Sequence, residues 1–591
     1  MRYVLPAVII VIGLITGMFG ILQKTVWAPD ETRTASVQLD EPGPVIVIEP
    51  GVLNLYETPA TLTATAADPE SEITISRTTK ENADAWVGAS DVTRITGLAD
   101  ETTLAADTTT GGEGAQDAQS DATEAPEDGA TDEAANDEGA DDEAAQDEAV
   151  DPEELATVPA PGSADLWEST ESGDGTVSLE FDEDAQRTAF VIGTDGEAPA
   201  ASEISLTWPN DSSTPWAIPL MLVGGGIVLV GLIVGFFSLR AQQREVARRK
   251  ARQERRRRLA ETGAAFAIVP VIALTGCAPE ELPKAEPAPA PTEAGPAVTD
   301  EQVTAILSRI GDSVDTADAD LDADQLKKRV SGPALTQREA AYKVKDKADD
   351  FTLPPAIATD EVLVNHTSAT DMWPRVTSVI ATDSDSDTTQ LLVLAQQDAR
   401  ADFTVWSQTI LQPGAEIPEV ADPREGSELL APDAEGYRLP PAEVAAGYAD
   451  LLAKGEDSDS AGAFDEDAFV KQARSNQADQ REALESGGAE VSFDYKGEDS
   501  QVTAMAAADG SAIVTGVVST ESTITPDSTE STTGTLTIPS PAADVLGETS
   551  TSEDLHQTST VVVTWVVPAG EDDPIRMVGV NEVFTGASLG D

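Results

Sequence analysis

Two apolar runs and one basic run constrain this 591-residue chain more than anything else in it. Val4 to Leu22 and Ala217 to Leu239 are each long enough to cross a bilayer. The second leads directly into Arg240–Arg258, where ten basic residues meet only two acidic ones, Glu245 and Glu254. In a chain of net charge −71 this is the one large positive block. Lys and Arg collect in cytoplasmic loops beside spans, so the run is read as cytoplasmic and attracted to anionic inner-leaflet lipid. Nucleic acid does not fit a block placed at the end of a span in so acidic a chain. With that loop inside, Met1 is cytoplasmic, residues 24–215 are outside, and Trp27 and Trp216 sit at the interface. Gln23 to Trp27 offer no small-residue cleavage site, so the first span reads as a retained anchor. Gly231 and Gly235 in the second span have the small-xxx-small spacing of a helix contact, either with another copy or with the first span.

The exterior segment 27–215 is expected to be a small antiparallel all-β domain. Short β-rich runs appear at Val45–Ile48, Thr61–Thr65, Ile73–Arg77, Val177–Phe181, Ala189–Ile192 and Glu203–Trp208, parted by Pro, Gly and Asp. Between them, residues 98–163 are rich in Ala, Asp, Glu, Gly and Thr, with no Lys or Arg from Arg94 to Arg187. Such a stretch buries too little apolar surface to offset its chain entropy and is expected to be a disordered acidic insertion.

After the basic block, residues 260–277 form an apolar stretch ending Leu274-Thr275-Gly276-Cys277. A basic region, an apolar region and small residues before a cysteine make an export signal. The last four residues resemble the lipobox of bacterial lipoproteins. That resemblance implies a diacylglyceryl thioether on Cys277 and cleavage before it. Cys277 is the only cysteine of the chain, which also excludes an intrachain disulfide. The signal is internal, whereas lipoprotein signals begin a chain; the other reading is a third, short membrane helix. Under either, residues 278–591 are extracytoplasmic. With the acidic, Ala-rich composition, the lipobox suggests a high-GC Gram-positive source.

Residues 278–298 carry six prolines and are expected to be an extended tether that lifts a domain off the membrane. Beyond it lies an internal duplication. Asp324–Lys328 leading to Arg338-Glu339 aligns without gaps on Asp467–Lys471 leading to Arg481-Glu482, at a spacing of 143 residues. Amphipathic helices precede each copy (Val303, Ile306, Leu307, Ile310; Val444, Tyr448, Leu451, Leu452) and strand patterns follow. The expectation is two tandem α+β domains, 299–420 and 440–588, with helices on a curved antiparallel sheet. This order resembles the cone-shaped nuclear transport factor 2-like superfamily. That resemblance implies a cone able to hold a ligand or to dimerise, and carries over no individual residue.

Chemistry is sparsely signalled. His366 and His556 are the only histidines, and neither stands in a nucleophile pattern. Asp318, Asp320 and Asp322, like Asp383, Asp385 and Asp387, begin a calcium-loop spacing but lack its Gly and its Glu, with Ala323 and Arg329, or Thr388 and Leu394, in those places. The aromatics Tyr342, Trp373, Phe403 and Trp406 read as core. No catalytic, cofactor or metal residue is assigned, and lipidation at Cys277 is the one site expected. The reading is a non-enzymatic envelope membrane protein whose exported module binds or scaffolds a wall polymer or a membrane partner. The alternative is an envelope enzyme, or an accessory subunit of a glycan-transferring membrane enzyme.

Overall fold

The computed structural model describes residues 4–40, 42–56, 59–109, 158–183, 185–195, 199–249, 282–289, 291–384, 388–529 and 532–590. The chain enters through helix α1 (Val4–Thr25) and then forms a two-sheet sandwich. One sheet has the order β1-β10-β3-β8, from Thr32–Gln38, Glu203–Pro209, Ala60–Thr65 and Thr176–Phe181. The other has the order β6-β5-β2-β9-β4-β7, from Leu104–Thr109, Val92–Leu98, Val45–Ile48, Thr188–Gly193, Glu72–Thr79 and Ser169–Asp174. Strand β3 buries alternate residues, as a half-covered strand should, whereas Val45–Ile48 are buried throughout. The reason is that both faces of the larger sheet are covered. Ile46, Ile48, Ile75 and Ile192 face the smaller sheet, while Val45, Val47, Ala189 and Val191 pack under Trp86 and Trp167.

Three sequence expectations change here. The domain is not all-β, because helix α2 (Lys80–Val87), capped by the Thr79 side chain on the Asn82 N–H, covers the second face. It is not wholly antiparallel either, because β2 and β5 run parallel. The ordered structure also reaches into the expected insertion: β6 spans Leu104–Thr109 and Val158 is buried, so only residues 110–157 fall outside the described residues.

Helix α3 (Ala217–Arg249) leaves the sandwich beside α1 and packs along it. Both are long and apolar enough to cross a membrane. The Cβ of Gly231 would meet Ile10, and that of Gly235 would come within 3.8 Å of the Pro6 Cβ. Of the two partners the spacing allowed, the first span is therefore the one seen. The closest approach lies elsewhere, at Gly224, where a Cβ would stand 2.4 Å from the Gly17 backbone nitrogen.

The described part of the Pro-rich stretch, from Leu282 onward, does not act as a free spacer. Ala285 packs onto the sandwich core, and the Ala288 N–H donates to the Gln186 carbonyl at 2.8 Å. It is a strap along the first domain. Next come α4 (Asp300–Asp320), α5 (Ala323–Leu326) and α6 (Gly332–Lys345), followed by β11 (Glu361–Thr367), β12 (Arg375–Asp383), β13 (Thr388–Gln396) and β14 (Thr404–Leu411). A reciprocal cap between Thr299 and Gln302 starts α4, whose Val303, Ile306, Leu307, Ile310 and Val314 line one buried face. The second copy has α7 (Pro441–Lys454), α8 (Ala468–Gly487), β15 (Ala489–Ala506), β16 (Ala512–Pro526), β17 (Leu555–Val567) and β18 (Arg576–Leu589), with short elements between β16 and β17.

Both copies run helix, helix, four-strand meander, yet they do not close as two separate domains. One eight-stranded sheet has the order β11-β12-β13-β14-β18-β17-β16-β15. The order is palindromic, and the last strands of the copies join it at Ile410↔Val580 and Leu411↔Gly579. Gly579 is required there, since a Cβ would stand 2.8 Å from the Thr409 hydroxyl. Each copy has its own core under its helices, and a third core joins Val376, Ile380, Leu391 and Val393 of one to Met505 and Ile513 of the other. The sheet therefore curls until the two copies share a face. The 143-residue register holds across the helices: α6 ends at Lys345, and Gly488 caps α8. In the first copy the helix is interrupted between α5 and α6, where Val330 bridges to Val405.

Candidate functional site

The most elaborate polar constellation lies where the sandwich meets the C-terminal module. Asp165 follows a short turn, Pro161–Ser163, and its side chain is fully buried. Arg329 Nη1 reaches its Oδ2 at 2.6 Å, Arg309 Nη2 its Oδ1 at 2.7 Å, and the Phe403 N–H donates to Oδ2 at 2.8 Å. Arg329 also pairs with Asp402 at 3.1 Å. Burial pushes the Asp402 carboxyl above its ordinary range, Arg329 opposes that shift, and Asp165 adds to it. Two carboxylates and two guanidinium groups balance in charge, so the group reads as an ionic lock, although Asp165 Oδ1 and Arg309 Nε make no hydrogen bond beyond the ion pair.

A second contact surrounds α2. Arg400, in the β13–β14 turn, donates Nε to the Trp86 carbonyl and Nη2 to the Val87 carbonyl, each at 2.8 Å, and Nη2 to Ser90 Oγ at 2.7 Å. These are the carbonyls that a helix end leaves unpaired, at the negative end of its dipole. Beside it, Arg375 Nη2 donates to Asn82 Oδ1 at 2.8 Å and lies over the Trp373 ring at 4.2 Å. An amide oxygen and an indole face replace its water, and burial pushes it down to about 10. Trp373 and Ala399 complete the contact against Trp86 and Trp167.

The singled-out residues fall as follows. Leu274, Thr275, Gly276 and Cys277 lie outside the described residues, as do 250–258 of the basic run; Arg240 lies over the Phe236 ring at 4.9 Å. His556 is on strand β17, its Nδ1 2.7 Å from Glu521 Oε1. Asp318 accepts from Arg338 and Tyr342, and Asp322 caps α5; Asp385 and Asp387 are outside the described residues. Among the described residues no group of His, Cys, Asp and Glu could hold a metal. Tyr342 and Phe403 are core, Trp406 packs on the shared core, and Trp373 belongs to the inter-module contact.

His366 is buried on β11 and ties three segments together. Its Nε2 lies 2.9 Å from Ser427 Oγ and 3.0 Å from the Ala506 carbonyl. The carbonyl requires Nε2–H, which leaves Nδ1 bare and without a partner. Burial accordingly lowers its pKa below 6.5, only partly offset by the Ala506 carbonyl. The neutral ring is the stable one in the fold, so its contribution is complete above about 6.5 and is lost as pH falls through the folded value. His366→Gln is expected to cost about 1–3 kcal/mol at pH 7.5. The gap to wild type should narrow by pH 5, read as the difference between their urea midpoints at each pH.

A recess of about 440 Å³ opens on the second copy, lined by Tyr495, Ser519, Thr520, Glu521, Ser559 and Thr560 among others. Glu582 pairs across the sheet with Val561, close by. Solvent reaches it, yet protein surrounds it closely enough that lost hydration raises its carboxyl.

Asp165, Arg309, Arg329 and Arg400 were not recognised from sequence. Asp165 is one acidic residue among dozens, and only the adjoining Leu166-Trp167 marks its segment as one that packs.

The geometry defines a mixed α/β chain of two packed modules, with two helices long and apolar enough to cross a membrane. Residues 294–588, from just before α4 to the end of β18, match a family described as a domain of unknown function, DUF8094. Neither a curated protein nor a solved structure matches the chain.

Proposed function

We propose that this is a non-enzymatic membrane protein of the cell envelope, in a high-GC Gram-positive bacterium, whose C-terminal module binds or scaffolds a wall polymer or another membrane protein. The observation that carries the reading is the docking of that module onto a domain seated on two apolar helices. Leu282 and Pro283 share a recess with Asp30, Glu31 and Asn210, the residues beside the sandwich ends of α1 and α3. Arg240 is at the far end of the 24-residue apolar part of α3, about 36 Å away at 1.5 Å per residue. If α3 crosses, the chain crosses again before Leu282, and both modules stand outside. An export signal ending in a lipidated Cys277 would supply that return, and so would a third short helix. The resemblance of each copy to nuclear transport factor 2-like cones is kept as part of this reading.

A C-terminally tagged protein is followed in its host, wild type against Cys277→Ala, with labelled fatty acid. A labelled fragment of roughly half length that vanishes in the variant supports lipidation; one unlabelled full-length band in both ends it. Sedimentation of the detergent-solubilised protein with isolated cell-wall sacculi tests the binding role. The second reading, an enzyme or accessory subunit acting on glycans, rests on the hydroxyl-lined recess beside Glu582. It requires turnover of a wall glycan that Glu582→Gln abolishes while sacculus binding persists.

A further inference from the structure

We infer that the sandwich and the module 282–590 are a receptor and its ligand carried on one chain, which stay bound to each other when the connection between them is cut. Three separate contacts carry this, and none needs chain continuity. The strap engages first: Ala285 packs on the sandwich core and the Ala288 N–H donates to the Gln186 carbonyl, while Leu282 and Pro283 wall one side of an open recess of about 860 Å³ opposite Arg33, Tyr56 and Asn210. Farther along, Glu286 crosses Gly51, where φ is +82° and a Cβ would stand 3.1 Å from the Glu286 nitrogen. The second contact is the buried Asp165 lock with Arg329 and Arg309. The third is the Arg400 clamp on the end of α2.

Between lock and clamp, Trp373 and Ala399 pack on the Trp86–Trp167 cluster. That cluster covers the outer face of the six-stranded sheet, so separation would bare an apolar surface on the sandwich. The contact therefore has an apolar centre flanked by two polar anchors, the charge-balanced lock and the Arg400 clamp, the anatomy of a specific interface. The strap begins at Leu282, so a module cut free before that residue keeps all three contacts. For a chain processed before Cys277, a consequence that rests on the reading above, the lipid-anchored product would remain attached to the two-span product. The interface itself does not depend on processing.

The test uses the full chain with Cys277→Ala, which blocks lipidation, and a site-specific protease sequence inserted between residues 278 and 281. The detergent-purified protein is cut to completion and chromatographed at low micromolar concentration. Co-elution of both fragments is expected, with affinity about tenfold weaker in Arg400→Ala and about a hundredfold weaker in Asp165→Asn. Separate elution of the wild-type fragments overturns the inference. Equal dissociation constants for wild type and Arg400→Ala, measured by diluting the cut complexes, also overturn it, because adhesion would then lie elsewhere. Arg400 sits in a surface turn, so its variant remains decisive even if Asp165→Asn fails to fold. The outcome is independent of whether the host lipidates Cys277.

Discussion

Arg338→Ala is expected to destabilise the C-terminal module by about 3–5 kcal/mol, while Arg481→Ala, at the aligned position of the second copy, costs roughly 1 kcal/mol or less. Arg338 is almost wholly buried on α6. Its Nη1 meets Asp318 Oδ2 at 2.5 Å, and Nη2 donates to the Pro355 carbonyl and, at 3.4 Å, to Gln408 Oε1. Asp318 also accepts from Tyr342, whose phenol burial and that carboxylate push up. Removing the guanidinium leaves the half-buried Asp318 carboxylate without its cation, holding a single hydroxyl. Arg481 lies 5.0 Å from the Phe493 ring, only partly buried, and its loss forfeits a stacking contact alone. Urea unfolding at pH 7 separates the two variants. The double variant Asp318→Asn/Arg338→Met is expected to be more stable than Arg338→Met alone, because it removes the orphaned charge. Equal losses at the two positions would mean that the duplication preserved the role of this arginine.

That pair shows how far the sequence could be read. Alignment at 143 residues correctly put Arg338 and Arg481 on corresponding helices. It could not tell that one lies over a half-buried aspartate and the other at the rim, because the difference is made by Asp318 and Pro355, outside the aligned run. Apolar alternation revealed β3 and β10, and the all-apolar run revealed β2. Strand β7 (Ser169–Asp174) has no apolar residue and is almost entirely exposed, being an edge held by backbone pairing to β4. Nothing in its composition distinguishes it from the acidic stretch before it. Polar residues interrupt the apolar pattern of β15, yet it is one strand, carried across a register shift between Glu498 and Val502. The palindromic sheet depends on which edges meet, and the lock depends on one aspartate among many, so neither leaves a local pattern.

The two apolar helices offer the other large effect. Gly224→Leu is expected to drive α1 and α3 apart, whereas Gly225→Leu leaves them together. The contact is a seam of small residues that brings backbones together. Beyond its 2.4 Å approach to Gly17, a Cβ on Gly224 would stand 2.7 Å from the Gly13 carbonyl oxygen. The obstacle is main chain, which cannot turn aside as a flexible side chain would, so the helices must separate or rotate. A Cβ on Gly225 meets nothing within 4 Å. The readout is already set by the far end of the pair, where the 3.8 Å between the Pro6 Cβ and a Cβ on Gly235 suits a disulfide. In a Cys277→Ala background, Pro6→Cys/Gly235→Cys is expected to crosslink in oxidised membranes. Adding Gly224→Leu should reduce the crosslink at least about tenfold, and adding Gly225→Leu should leave it unchanged. Crosslinking that survives Gly224→Leu would show that the pair is not held along this seam.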